Sequence, residues 1–151
     1  MKKLFAFAAL LALAVPVSHA ADDDAAKAAK KIEGTYEVVS ATRGGKPDKK
    51  AEDVESFTIK DGKITIATKG KEMNAKMTLD PSKKPAHIDI KPEAGEGGKG
   101  DTIKGIYVTK DTDKGLELSI AFAQDGGERP KDFKGDGEQE VSIKLLRKKA
   151  K

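Results

Sequence analysis

From Gly34 onward the apolar residues recur at every second position, in short runs separated by turn-forming residues. Tyr36, Val38 and Ser40 share one face of the first run. Phe57 and Ile59 alternate with Thr58 and Lys60, and Asp61-Gly62 then supplies a two-residue hairpin turn into Ile64 and Ile66. Met73, Ala75, Met77 and Leu79 alternate with Asn74, Lys76, Thr78 and Asp80. Ile88 and Ile90 alternate with His87, Asp89 and Lys91. Ile103, Gly105 and Tyr107 form a sixth segment, with Ile106 and Val108 opposite; Leu116, Leu118, Ile120 and Phe122 form a seventh, and Val141, Ile143 and Leu145 an eighth. A period of two is that of a half-buried strand. Eight such strands in sequential order predict an all-β antiparallel meander. Its simplest edge-free closure is an up-and-down β-barrel, with a two-sheet sandwich as the alternative.

The remaining segments read differently. Residues 1–20 carry Lys2 and Lys3, an apolar run from Leu4 to Val15, Pro16, and small residues at Ser18 and Ala20. That is the pattern of a secretory signal peptide cleaved after Ala20, and the run is short for a membrane span. Residues 21–31 form a helical or flexible leader, with a helix expected over Asp22 to Lys31: aspartates begin it, alanines fill it and Lys30-Lys31 end it. Residues 32–151 then make one barrel domain. Asp48 to Glu55 suits one helical turn, and Glu93 to Gly100 and Gln124 to Glu138 are the long loops.

Charge narrows the class of partner. Without Lys2 and Lys3 the chain keeps 27 basic and 25 acidic residues. That near balance argues against nucleic acid, which calls for a concentrated basic face. Basic residues do gather at Arg147-Lys148-Lys149-Ala150-Lys151, a pattern usually met as a solvated tail. There is no cysteine, hence no disulfide and no lipid-anchoring site, so the fold must rest on its core. A chain of this length buries roughly two-thirds of its unfolded surface, enough for one core.

Several segments together resemble one family. Leu79-Asp80-Pro81-Ser82-Lys83-Lys84-Pro85 followed by Ile88-Asp89-Ile90 is the most specific of them. Ile32-Glu33-Gly34-Thr35-Tyr36-Glu37-Val38-Val39-Ser40 is similar to the family's opening strand, with Tyr36 where a tryptophan is usual. Gly105-Ile106-Tyr107, Arg129-Pro130-Lys131-Asp132-Phe133 and Ile143-Lys144-Leu145-Leu146-Arg147 resemble later segments. The family is the uncharacterised planctomycete lipocalin-like domain family, small exported proteins without an assigned biochemistry. The resemblance spans about Ile32 to Arg147. It implies a lipocalin-like barrel and an exported, periplasmic or extracellular location; fold alone does not fix a function.

Candidate chemistry is sparse. His87 is the only histidine after cleavage and points away from the apolar face, so it builds neither a metal site nor a catalytic triad. Gly95-Glu96-Gly97-Gly98-Lys99-Gly100 matches a dinucleotide fingerprint literally but precedes a strand rather than a helix, which makes it a hairpin loop. Asp111 and Asp113 lack the further ligands of a calcium loop. Asp125, Glu128, Asp132 and Asp136 surround Arg129 as solvated loop charge. No metal, no cofactor and no enzyme activity is expected.

Met73, Met77, Tyr107 and Phe122 lie on the inward face and are large or adaptable, which makes them the candidate lining of a ligand cavity. A barrel of eight strands can equally be filled by its own side chains. Tyr36 and Arg147 are the candidate closure of one barrel end, since antiparallel pairing of the first and last strands brings them together; Arg147 as the mere start of the basic tail is the competing reading. The pattern favours an exported, non-enzymatic protein that binds a small apolar or amphipathic molecule. The alternative is a cell-envelope protein-interaction module with a filled barrel.

Overall fold

The Asp61-Gly62 turn shows how local sequence sets the architecture. Both residues have positive φ, 49° and 71°, the backbone that a two-residue hairpin requires. In the computed structural model, which describes residues 20–93, 101–124 and 126–149, this turn joins β3 (Val54–Lys60) to β4 (Lys63–Thr68). The other strands are β1 (Gly34–Arg43), the two-residue β2 (Lys46–Pro47), β5 (Lys71–Asp80), β6 (Ala86–Pro92), β7 (Ile103–Thr112), β8 (Gly115–Ala123) and β9 (Glu140–Lys148).

Every neighbouring pair from β3 to β9 is antiparallel, β1 pairs with β3, and β1 pairs with β9 as well. The eight long strands therefore close into a barrel, as the meander pattern predicts, and the sandwich alternative is excluded. β2 adds only a short ladder to the end of β1. A 3₁₀ turn, Lys49–Asp53, lies where one helical turn is expected; the Asp48 carboxylate caps it by accepting from the Lys50 amide at 3.1 Å.

The helix α1 spans Ala20–Ile32, slightly longer than its sequence signature. Asp22 and Asp23 lie in its first turn and Lys30 and Lys31 in its last, each favourable to the helix dipole. It packs against β5, and Ala28 and Ala29 meet the core. Lys31 also reaches Asp111 at 3.6 Å across the end of the barrel. The signal-peptide reading covers residues 1–20, of which 1–19 lie outside the described residues, as do residues 94–100, 125, 150 and 151. Among the described residues no helix is long and apolar enough to cross a membrane.

The inward face of the strands carries the core: Tyr36, Phe57, Ile59, Ile64, Met77, Leu79, Ile88, Tyr107, Leu118, Ile120 and Leu145, joined by Ile32 from the helix. Each fully buried aliphatic or aromatic side chain contributes roughly 1.5–3 kcal/mol. Two bulges interrupt the alternation. Val39 is the extra residue between Val38 and Ser40, and Glu55 the extra residue between Val54 and Ser56. The first corrects the sequence reading: Val39 is 56% exposed, Ser40 turns outward rather than sharing the face of Tyr36 and Val38, and Ala41 turns in.

The late loop is docked rather than free. Arg129 donates to the carbonyls of Ile88 (3.3 Å) and Gly105 and forms an ion pair with Asp89 at 2.7 Å. Among the described residues its ion-pair partner is thus Asp89 rather than a loop carboxylate. The Gly45 amide donates to the Gly135 carbonyl at 2.8 Å. Beneath this strap, the outward-facing Ile106, Ala121 and Ala123 are buried, which explains why β8 is covered on both faces.

Candidate binding site

The two ends of the barrel are built from opposite halves of the strands. One end collects the start of β1, the end of β5, the start of β6 and the ends of β7 and β9. Ile32, Tyr36, Ile59, Ile64, Ile88, Leu118 and Leu145 fill it, each no more than 1% exposed. The Tyr36 hydroxyl donates to the Ile32 carbonyl at 2.7 Å. The Arg147 guanidinium lies over the Tyr36 ring, 5.9 Å from its centroid, and donates to the carbonyls of Lys31 (3.1 Å) and Glu33. Tyr36 and Arg147 do meet, and the arginine also ties down the end of the helix.

Gly34 makes this possible. Its φ is +140°, and a Cβ there would collide with the Arg147 Cδ. Burial pushes the Tyr36 pKa up, against the opposing pull of Arg147. Burial likewise raises that of Tyr107, with Asp80 adding to it. Lys148, placed with the tail by the sequence, belongs to β9 and pairs with Glu37 at 2.7 Å.

The other end is open. β1 leaves β3 after Tyr36, and its later residues pair only with β9 and β2. The resulting gap holds an apolar cavity of about 170 Å³. Val38, Ala41, Phe57, Ile66, Phe122, Val141 and Ile143 form its walls, with Val54, Thr68 and Met73 nearer the rim. The 3₁₀ turn contributes Lys50 and Ala51.

A polar clasp borders the mouth. The Arg43 Nε donates to Asp48 Oδ2 at 2.9 Å, the two form an ion pair, and Arg43 also donates to the Gln124 side-chain carbonyl. The Asp48 side chain is only 10% exposed. Its oxygens are met by the Arg43 guanidinium and the Lys50 amide, the pairing that a carboxylate so little exposed requires.

The candidate lining residues divide between the two ends. Met73 and Phe122 border the cavity, although Met73 is 46% exposed and so forms rim rather than wall. Met77 and Tyr107 are 7% and 6% exposed and pack in the filled half. They do not line the cavity: β5 and β7 carry them past the point at which the interior is solid. Arg43, Asp48 and Ala41 were not legible as site residues. The Val39 bulge reverses the parity of β1 beyond it, and nothing in the alternation marks which residue is extra.

The remaining chemical candidates are dispersed. His87 is half-buried on β6, opposite Asp80 and Ile106. Asp80 accepts from Ser82, and that hydrogen bond is the main cause of its lowered pKa. Among the described residues no three His, Cys, Asp or Glu side chains converge as a metal site.

Comparison with known family models, curated proteins and solved structures finds no match to this chain.

Proposed function

We propose that this barrel is a non-enzymatic binding protein that holds a small apolar group, or the apolar end of an amphipathic molecule, at its open end. The observation that carries this reading is the 170 Å³ apolar cavity beneath the Arg43–Asp48 clasp. Its size limits the ligand. Drug-sized ligands occupy pockets of roughly 300–1,000 Å³, whereas an apolar cavity of about 150 Å³ takes benzene. A single ring or a short branched or linear alkyl end fits; a complete lipid does not. The polar part of an amphipathic ligand would lie outside, beside Arg43, Asp48 and Lys50.

The proposal includes export after cleavage at Ala20, on the strength of the N-terminal sequence pattern. It also includes membership of the planctomycete lipocalin-like family, on the strength of the Leu79–Ile90 and Gly34–Tyr36 segments. A barrel closed by a basic residue over an aromatic one agrees with that likeness.

Native mass spectrometry of the protein purified from its own envelope, with titration of a small environment-sensitive apolar dye, tests the reading. Saturable dye binding, lost when Ala41→Phe occupies the cavity, is the expected result. A wild-type protein that neither carries nor takes up any apolar molecule would refute it in favour of the interaction module.

A further inference from the structure

The outer wall of β3 to β6 carries an arrangement that the cavity does not use. In the strand register Lys60 faces Lys63, Lys63 faces Lys76 and Lys76 faces Lys91. All four alternate with inward residues, so all four project outward, and all are exposed. Like charges directly opposite each other on adjacent strands repel, so this register works against the sheet it belongs to. Glu93, 3.5 Å from Lys63, is the one ion-pair partner the row has among the described residues. Asp61 lies in the adjoining turn, and Asp89, two residues from Lys91 on the same face, is taken by Arg129.

A second row runs beside the first. Thr35 faces Thr58, Thr58 faces Thr65 and Thr65 faces Asn74, again on the outward face. The Thr65 hydroxyl donates to Asn74 Oδ1 at 2.7 Å, and the Thr35 and Thr58 hydroxyls are 3.3 Å apart. Between the rows, Thr58, Lys60, Asp61, Lys63 and Thr65 line an open groove of about 330 Å³.

We infer that this double row is a docking strip for a flexible anionic polysaccharide, its acidic groups met by Lys60, Lys63, Lys76 and Lys91 and its hydroxyls by the threonine–asparagine row. Three features select that partner. Adjacent strands stand about 4.8 Å apart, so the row runs about 14 Å, the length of a short oligosaccharide rather than a point site. It crosses four of the eight strands of a closed barrel and therefore follows a curve. A flexible chain can track that curve, whereas a planar bilayer would meet only part of it. The strip carries hydroxyl and amide groups and no aromatic ring, which suits sugar hydroxyls and denies single-stranded nucleic acid its stacking platform.

Binding to immobilised dextran sulfate over a series of salt concentrations tests the strip. Single-stranded oligonucleotide, anionic phospholipid vesicles and uncharged dextran serve as the other arms. The wild-type chain binds dextran sulfate most tightly and uncharged dextran not measurably. The triple variant Lys60→Gln, Lys76→Gln, Lys91→Gln weakens binding roughly tenfold or more. It also reduces the log–log salt slope by about two to three, as expected for three lost charges. Lys110→Gln, Lys114→Gln, Lys144→Gln changes net charge equally from β7 to β9 and leaves binding within about twofold of wild type. Cooperative urea unfolding shows that both variants are folded, with a midpoint equal to wild type or higher for the strip variant, which relieves lysine–lysine repulsion. Equal losses in the two triple variants would overturn the inference, as would vesicles or oligonucleotide binding as tightly as dextran sulfate, or no binding by the wild type.

Discussion

The two ends of the barrel share strands, composition and hydrogen-bonded ladders, yet one is solid and the other is hollow. At the solid end a helix, a tyrosine and an arginine complete the packing, and Ile32, Tyr36, Leu118 and Leu145 are sealed from solvent. At the hollow end β1 has parted from β3, a 3₁₀ turn spans the gap, and the polar clasp of Arg43 and Asp48 borders an apolar space. The difference lies in what is added at each end. The solid end gains an element that brings its own apolar residue, whereas the turn at the hollow end brings charged residues and one alanine. Close packing and open apolar space thereby fall in different halves of one core.

The largest effect expected from breaking this comparison comes from the solid end. Leu118 is fully buried, and Leu118→Ala should lower the unfolding free energy by about 2–5 kcal/mol. Met73→Ala at the rim should lower it by less than about 1 kcal/mol, since much of that side chain already meets water. Urea unfolding monitored by circular dichroism measures both. Similar losses would show that the two ends are energetically alike.

Arg147→Ala comes next. Its contact with Tyr36 is worth about 0.5–2 kcal/mol, and the carbonyls of Lys31 and Glu33 lose a donor as well. Lys149→Ala, beyond the end of β9, should be silent in the same assay. Gly34→Ala should reproduce much of the arginine loss without touching the arginine, because its Cβ would occupy the Cδ position.

Ala41→Phe acts on the hollow end alone. It should weaken apolar dye binding by at least about tenfold, roughly 1.4 kcal/mol, with an unfolding midpoint equal to wild type or higher.

The smallest effect at neutral pH concerns ionisation. Burial raises the Tyr36 pKa above its unfolded value near 10, so the neutral ring is the form the fold prefers. The stability associated with it is complete below the unfolded pKa. It is lost as pH rises from about 10 through the folded value, because the unfolded chain then releases a proton that the folded one retains. Tyr107 titrates in the same direction. The unfolding midpoint should be flat from neutral pH to about 9 and fall beyond 10, and Tyr36→Phe should fall less steeply.

The legible part of this molecule was the part set by alternation. Eight strands, the Asp61-Gly62 turn, the helical turn after Asp48 and the meeting of Tyr36 with Arg147 all follow from period and chain direction. What failed to show was depth along the barrel axis. Met77 and Met73 share a face and lie two pleat repeats apart, but one is core and the other rim. Alternation states which face a residue takes, not how far from either end it lies. The clasp was hidden for a second reason: a single extra residue at Val39 reverses every inward assignment after it on β1, so Ala41 and Arg43 read as outward. Arg129 was misplaced among loop carboxylates because its partner Asp89 is distant in sequence and comes close only once the strap docks.

The pairing of β1 with β9 carries a cost in time. Glu37 and Lys148 meet across 111 residues of chain, whereas the pairings from β3 to β6 and between β7 and β8 join strands linked by turns or short loops. Local hairpins form within microseconds, and the logarithm of the folding rate falls as contacts join segments more distant in sequence. Contact order therefore predicts that the meander pairs first as an open sheet with β1 and β9 as its edges, and that their meeting comes late. Until then each edge offers unpaired backbone to any other strand. The arginine that lies over Tyr36 is on the last of these edges, so the same contact that seals the solid end is predicted to be among the last to form.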